Sequence, residues 1–174
     1  MSPTDKAPHG HLPAFIDPIQ LAVKGARLAG TLSCKAMARL TQACLDDRGE
    51  VSIDLRFSRD KSSDVSELRG TLRSTVRVVC QRCLEPMVLE FHADTRLLLL
   101  RPGERTGVLA EEAEVLTVDQ PVSLSELVED ELLLVMPMVP MHPLDACPAK
   151  QQVKMPAATR TGKPLSALRR RERT

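Results

Sequence analysis

The sequence predicts an α+β fold: a small antiparallel β-sheet flanked by two main helices, with a disordered N-terminal lead and a disordered C-terminal tail. Three observations carry that expectation. Apolar and polar residues alternate through 51–58, 68–80 and 87–99, the two-residue period of half-buried strands. Apolar residues recur instead at three- and four-residue steps through 31–45 and 124–135, the period of amphipathic helices. Neither period reaches the ends, where Pro3, Pro8 and Pro13 punctuate the start and Pro, Ala, Thr and basic residues dominate beyond Cys147. The expected organisation is a flexible lead over 1–14, a single domain over 15–148 and a basic tail over 149–174.

Each element has its own signal. Phe15 to Gly25 mixes apolar residues with a proline and reads as a short strand or turn. Thr31 to Leu45 is the first expected helix, its apolar face made by Leu32, Ala36, Met37, Leu40, Ala43 and Cys44, and Asp46-Asp47-Arg48-Gly49 supplies the stop. Val51, Ile53, Leu55 and Phe57 then mark a strand, followed by a polar loop from Arg59 to Ser66. From Leu68 to Cys80 the inward set is Leu68, Gly70, Leu72, Ser74, Val76, Val78 and Cys80; the partner strand over 87–100 turns Leu89, Phe91, Ala93, Leu97 and Leu99 the same way. The residues between them, Cys80 to Pro86, read as the loop of an antiparallel pair. Ala113 to Val118 is a further short strand. Ser123 and Glu126 make an S-x-x-E capping box for the second helix, which Pro137 ends. Met136 to Pro143 has three prolines in eight residues and is expected to lie extended over the core.

Composition narrows the function classes. With 174 residues, 43% apolar and 27% charged, the chain is long enough for one real core. No apolar run approaches the roughly 20 residues of a membrane helix, and Met1 to His11 has no basic-then-apolar layout of a secretory signal. Five cysteines, an odd count, fit a reducing cytoplasmic compartment, and Cys34 and Cys44 read as small core or near-core residues of the first helix. Three Phe and no Tyr or Trp argue against a module that stacks bases on aromatic platforms. The net charge of +1 conceals a strong polarity. Residues 1–100 carry 14 basic and 12 acidic side chains, 101–148 carry two and ten, and 149–174 carry eight and one. Such asymmetry points to a polyanion partner or an interaction tail, or to a self-shielding tail that touches nothing.

Two constellations bear chemistry. Cys80 and Cys83 form a CxxC at a strand tip. A redox dithiol wants its first thiolate at a helix N-terminus, which this context does not provide. Half a tetrahedral zinc site suits a tight turn, and His142 and Cys147 would complete a Cys₃His set, holding one structural zinc ion. A plain turn with free thiols is the remaining reading. The second constellation is Arg69, Arg73 and Arg77, which four-residue spacing places on one side of a strand about 13 Å apart, with Arg82 at its end. Such a row can track phosphates without reading bases, or be an ordinary solvated face.

An enzyme is not expected. The chain has no G-x-x-x-x-G-K phosphate loop and no G-x-S-x-G elbow. Glu129-Asp130-Glu131 diverge by about 100° per residue on a helix and read as a solvated face rather than a carboxylate pair.

Several stretches together resemble a known family. Val76 to Val79 runs into Cys80-Gln81-Arg82-Cys83-Leu84-Glu85-Pro86; farther on come Leu127 to Leu134, then Met136-Pro-Met-Val-Pro-Met-His142 and a lone Cys147. With the segment Ile16 to Ala22 and the basic C-terminus, this combination is similar to the bacterial YceD family, the large ribosomal RNA subunit accumulation proteins, over most of the chain. The resemblance implies a non-enzymatic cytoplasmic protein acting in synthesis, processing or stability of 23S ribosomal RNA, with a plastid relative in plants. One departure concerns the metal: some relatives carry a fuller set of Cys pairs after the Pro-rich segment, whereas here only His142 and Cys147 follow it. The expected partner is ribosomal RNA or a pre-50S particle, bound through Arg69, Arg73, Arg77, Arg82 and the tail residues Arg169, Arg170, Arg171 and Arg173. The rival expectations are an adaptor that docks a basic large-subunit ribosomal protein through the acidic 101–148 segment, and a small zinc-binding or redox protein.

Overall fold

The structure, a computed structural model, describes residues 12–60, 64–104 and 114–151. Its centre is a five-stranded sheet in the order β2 (Arg27–Ser33), β3 (Glu50–Arg59), β4 (Ser66–Val79), β5 (Pro86–Leu100) and β6 (Glu114–Thr117). β2 to β5 are antiparallel to their neighbours and β6 lies parallel to β5, so the sheet is mixed. A second, two-stranded sheet pairs β1 (Phe15–Ile16) with β7 (Val122–Ser123). Three helices complete the described residues: α1 (Pro18–Lys24), α2 (Ala38–Gln42) and α3 (Leu124–Val135).

The expected small antiparallel sheet with two main helices is therefore corrected to a sheet-dominated fold. The first expected helix, Thr31 to Leu45, is the main error. Its first residues belong to edge strand β2, which pairs with β3 from Arg27 opposite Arg56 to Ser33 opposite Glu50. A 3₁₀ turn (Cys34–Ala36) and the five-residue α2 follow. A row of inter-strand hydrogen bonds outweighs a local helical period that only Met37 and Leu40 use for deep burial. The reverse occurs at residues 18–24, where a strand or turn was expected and α1 forms. Asp17 caps it by accepting from the Gln20 N–H at 3.0 Å, Pro18 takes the first turn, and Gly25 closes it with φ +61.

The strands follow their alternation. Val51, Ile53, Leu55, Phe57, Leu68, Leu72, Val76, Val78, Phe91, Ala93, Leu97 and Leu99 are buried on one face of the sheet. Against that face pack Ile19 and Ala22 of α1 and Leu124, Leu127, Val128 and Leu132 of α3. Cys34 is buried in this core and Cys44 packs at its edge. The opposite face of β3, β4 and β5 carries mostly the polar members of each alternating pair and is mostly solvent-facing among the described residues, with Leu98 buried on it. Ser123 caps α3 as expected, its hydroxyl accepting from the Glu126 N–H at 3.4 Å, and the chain leaves the helix at Met136. No helix among the described residues is long and apolar enough to cross a membrane.

Candidate functional site

The β4–β5 hairpin ends in the CxxC. The Leu84 N–H donates to the Cys80 carbonyl at 2.9 Å and the Cys80 N–H to the Glu85 carbonyl at 3.0 Å, closing the turn. Closure holds Leu84 in the left-handed region, φ +61. After α3, the prolines at 137, 140 and 143 keep the chain out of helix and turn it back onto this loop. There the Gln81 N–H donates to the Pro140 carbonyl at 2.8 Å and the His142 N–H to the Cys80 sulfur at 3.3 Å. This backbone clamp seats His142 and Cys147 on the hairpin tip. One ligand atom from each of Cys80, Cys83, His142 and Cys147 lies within 4.8 Å of every other, with Cys83 Sγ 3.3 Å from His142 Nδ1.

The donor set fits one soft divalent ion. A tetrahedral site with metal–sulfur bonds of about 2.3 Å separates its ligands by about 3.5–3.8 Å, so closing the quartet needs only small side-chain shifts. Cys80 and Cys147 are buried. Burial alone pushes the Cys80 thiol up, but the backbone N–H groups of Cys83, His142 and Arg82, with the Cys83 thiol, outweigh it and bring it down to about 5. Burial, with Cys80 and Cys147 beside it, pushes Cys83 up. A sulfur that accepts from several N–H groups, with two more sulfurs and an imidazole within 4.8 Å, is a cluster that a cation would satisfy.

The expected arginine row is on the open face, and two of its members are ion-paired. Arg69 pairs with Glu67 at 2.8 Å and Arg77 with Asp46 at 2.9 Å. Arg73 has no ion pair among the described residues, and Arg82 donates to the Met141 sulfur at 3.5 Å. Arg169, Arg170, Arg171 and Arg173 lie outside the described residues, as do residues 105–113 of the acidic segment.

Glu129 corrects the solvated-face reading of the α3 acids. It is buried and accepts from the Arg39 N–H at 2.6 Å and the Leu40 N–H at 2.9 Å, with the Arg39 guanidinium 2.8 Å away. Asp130 pairs with Arg39 at 2.6 Å, and Glu131 accepts from the Thr95 hydroxyl at 2.7 Å. Glu129 stands three residues before Leu132, at the margin of the apolar face; that spacing was the available signal for its burial.

Comparison with known proteins covers most of the chain. The family of the large ribosomal RNA subunit accumulation protein YceD matches residues 68–168, a span holding the hairpin, α3 and all four members of the Cys/His quartet. The large ribosomal RNA subunit accumulation protein YceD of Haemophilus influenzae is 27% identical over 143 residues, covering 81% of this chain and 82% of the relative. No solved structure matches. Since the family match spans more than half of its residues, the chain belongs to the YceD family.

Proposed function

We propose that this protein is a non-enzymatic cytoplasmic accessory factor in the synthesis, processing or stability of 23S ribosomal RNA, acting by contact with the RNA or a pre-50S particle. Family membership is the observation that carries this reading. The contacts are assigned to basic residues: Arg69, Arg73, Arg77 and Arg82 on the body and Arg169, Arg170, Arg171 and Arg173 in the tail. Contact of this kind is electrostatic, so binding falls steeply with salt. The test is crosslinking and sequencing of bound RNA, with the full chain beside a deletion of residues 149–174. Large-subunit RNA should dominate the reads and diminish in the deletion. Absence of any RNA or pre-ribosome association at low salt removes a direct RNA role.

A second reading, docking of a basic large-subunit ribosomal protein, has support in the exposed acids Glu114, Asp119, Glu126 and Asp145. It is weakened by the commitment of Glu129 and Asp130 to Arg39. Protein docking survives the tail deletion; tail-dependent RNA contact does not.

The quartet Cys80, Cys83, His142 and Cys147 is proposed to hold one structural zinc ion that clips the chain after α3 to the hairpin tip. Purified protein should carry about one zinc per chain, and Cys147→Ser should lose it. Metal-free protein with an unchanged melting temperature would refute the site.

A further inference from the structure

Strand register gathers four arginines that are far apart in the chain. Arg27 of β2 stands opposite Arg56 of β3, Arg56 opposite Arg69 of β4, and Arg69 opposite Arg96 of β5. All four side chains are on the open face, from 45% exposed at Arg27 to 67% at Arg56. With strands about 4.8 Å apart, the row runs about 14 Å across the sheet, perpendicular to the strands. Like charges set directly opposite destabilise a sheet, so three successive Arg–Arg pairs are not a pattern that packing selects.

The interleaved carboxylates do not cancel the row. Asp54 is taken up by Arg27 in two hydrogen bonds of 2.8 Å and stands 3.9 Å from Arg56, which keeps most of its charge. Glu67 is shared between Arg69 at 2.8 Å and Arg96 at 2.6 Å, one carboxylate for two guanidiniums. Asp94, one row along, faces His92 at 3.5 Å. Arg56, Arg69, Arg96, Thr71 and the two aspartates line one shallow depression. Arg73, four residues beyond Arg69 on the same face, adds a cation with no ion pair among the described residues.

We propose that this end of the sheet, centred on Arg56, Arg69 and Arg96 with Arg73 beyond them, is a docking surface for the sugar–phosphate backbone of RNA, crossed by the strand of nucleic acid perpendicular to the β-strands. The proposal rests on the ribosomal-RNA reading and names the surface that serves it. Guanidiniums held at regular intervals by a sheet are fixed forked donors for phosphate oxygens and carry no base readout. That suits a chain with three Phe and no Tyr or Trp. An acidic protein is the poorer occupant, because protein interfaces anchor on buried apolar side chains. The positions flanking the row on this face are Ala29, Asp54, Thr71 and Asp94 on one side and Ser58, Glu67 and Leu98 on the other, so that all but Ala29 and the buried Leu98 are polar. Of the exposed large apolar residues, Leu84, Met138, Met141 and Leu144 gather at the hairpin tip and the segment after α3, while Val115 of β6, opposite Leu98, stands near the row.

The test compares two double variants of the full chain, each removing two positive charges, binding an in vitro transcribed large-subunit RNA across a salt series. Arg56→Thr with Arg96→Thr should weaken binding about tenfold and lower the slope of log affinity against log salt by about 1.5, the loss of two phosphate contacts. Its melting temperature should stay the same or rise, because Arg–Arg repulsion is relieved. Lys24→Gln with Lys35→Gln, exposed on α1 and on the turn after β2 and outside the row, should weaken binding less than about threefold. Unchanged RNA binding in the first variant, equal losses in both, or a clear fall in its melting temperature overturns the docking surface. So does capture of an acidic protein that the first variant abolishes while its RNA binding is intact. Wild-type protein that binds no RNA at low salt overturns the ribosomal-RNA reading itself, a distinguishable failure.

Discussion

Two carboxylates two residues apart on α3 have opposite consequences. Burial pushes the Glu129 carboxyl up, but the N–H groups of Leu40 and Arg39 and the Arg39 guanidinium outweigh it, and it sits below the ordinary Glu range. A depressed native value means that its contribution is present above the unfolded value of about 4.3 and is lost as pH falls through the native one. Glu129→Ala should cost about 2–3 kcal/mol at neutral pH in urea unfolding, less than a fully buried ion pair because Arg39 is half exposed. The stability of that variant should also fall less steeply towards acid pH. Burial pushes Glu131 up, against the Thr95 hydroxyl and with Glu114 and Asp130 adding to the rise. Its ionised form is therefore a burden at neutral pH, and Glu131→Gln, which keeps an acceptor for Thr95, should raise the melting temperature at pH 7. The gain should vanish in acid, where Glu131 is itself protonated.

Among the elements, the β4–β5 hairpin is where local pattern and final structure agree best. Its alternation runs on both sides of the CxxC and breaks only at Leu97 to Leu99, all three buried, and the loop between two such strands leaves little freedom of register. Leu84 is the exception inside it. A leucine in the left-handed region costs roughly 1–2 kcal/mol, and its side chain is 72% exposed, so packing does not repay that strain. Leu84→Gly should stabilise the protein by about 1 kcal/mol and leave metal stoichiometry unchanged, as unfolding and zinc content would show. Gly70 constrains β4 in the opposite sense. A Cβ there would meet the Leu55 side chain and, at 2.8 Å, the Asp54 carbonyl, which is rigid strand backbone. Gly70→Ala should therefore lose about 1–3 kcal/mol, read from the urea midpoint. The elements that local pattern misjudged, α1 and β2, are short: the first is decided by its caps and the second by its neighbour.

At the scale of the molecule, two ends of one sheet hold different chemistry. The hairpin tip carries the Cys/His quartet and exposed Leu and Met side chains; the far end carries the arginine row. The quartet joins two parts of the chain about 60 residues apart. Stripping the proposed zinc should lower the melting temperature by roughly 5–10 °C and expose the chain between Pro137 and Cys147 to protease, while β2 to β5 remain protected in hydrogen exchange.

Alternation, caps and the CxxC-to-proline succession were readable along the chain because each depends on neighbours within a few residues: a strand's faces, a helix's first turn, the turn that two thiols share. The four site residues of the quartet could be named in this way, because their types alone restrict what they can bind. Their convergence within 4.8 Å could not, since it depends on where α3 points and on the clamp from Pro140 and His142. Long-range pairing settled the rest. It turned residues 27–33 into an edge strand, made the sheet mixed by laying β6 parallel to β5, and drew Glu129 into the core to hold α2. It also set, beside the arginine row along β4, a second row across four strands, with Arg69 common to both. Period-two patterns say which side of a strand a residue faces; register says what stands opposite, and register is a property of pairs of strands.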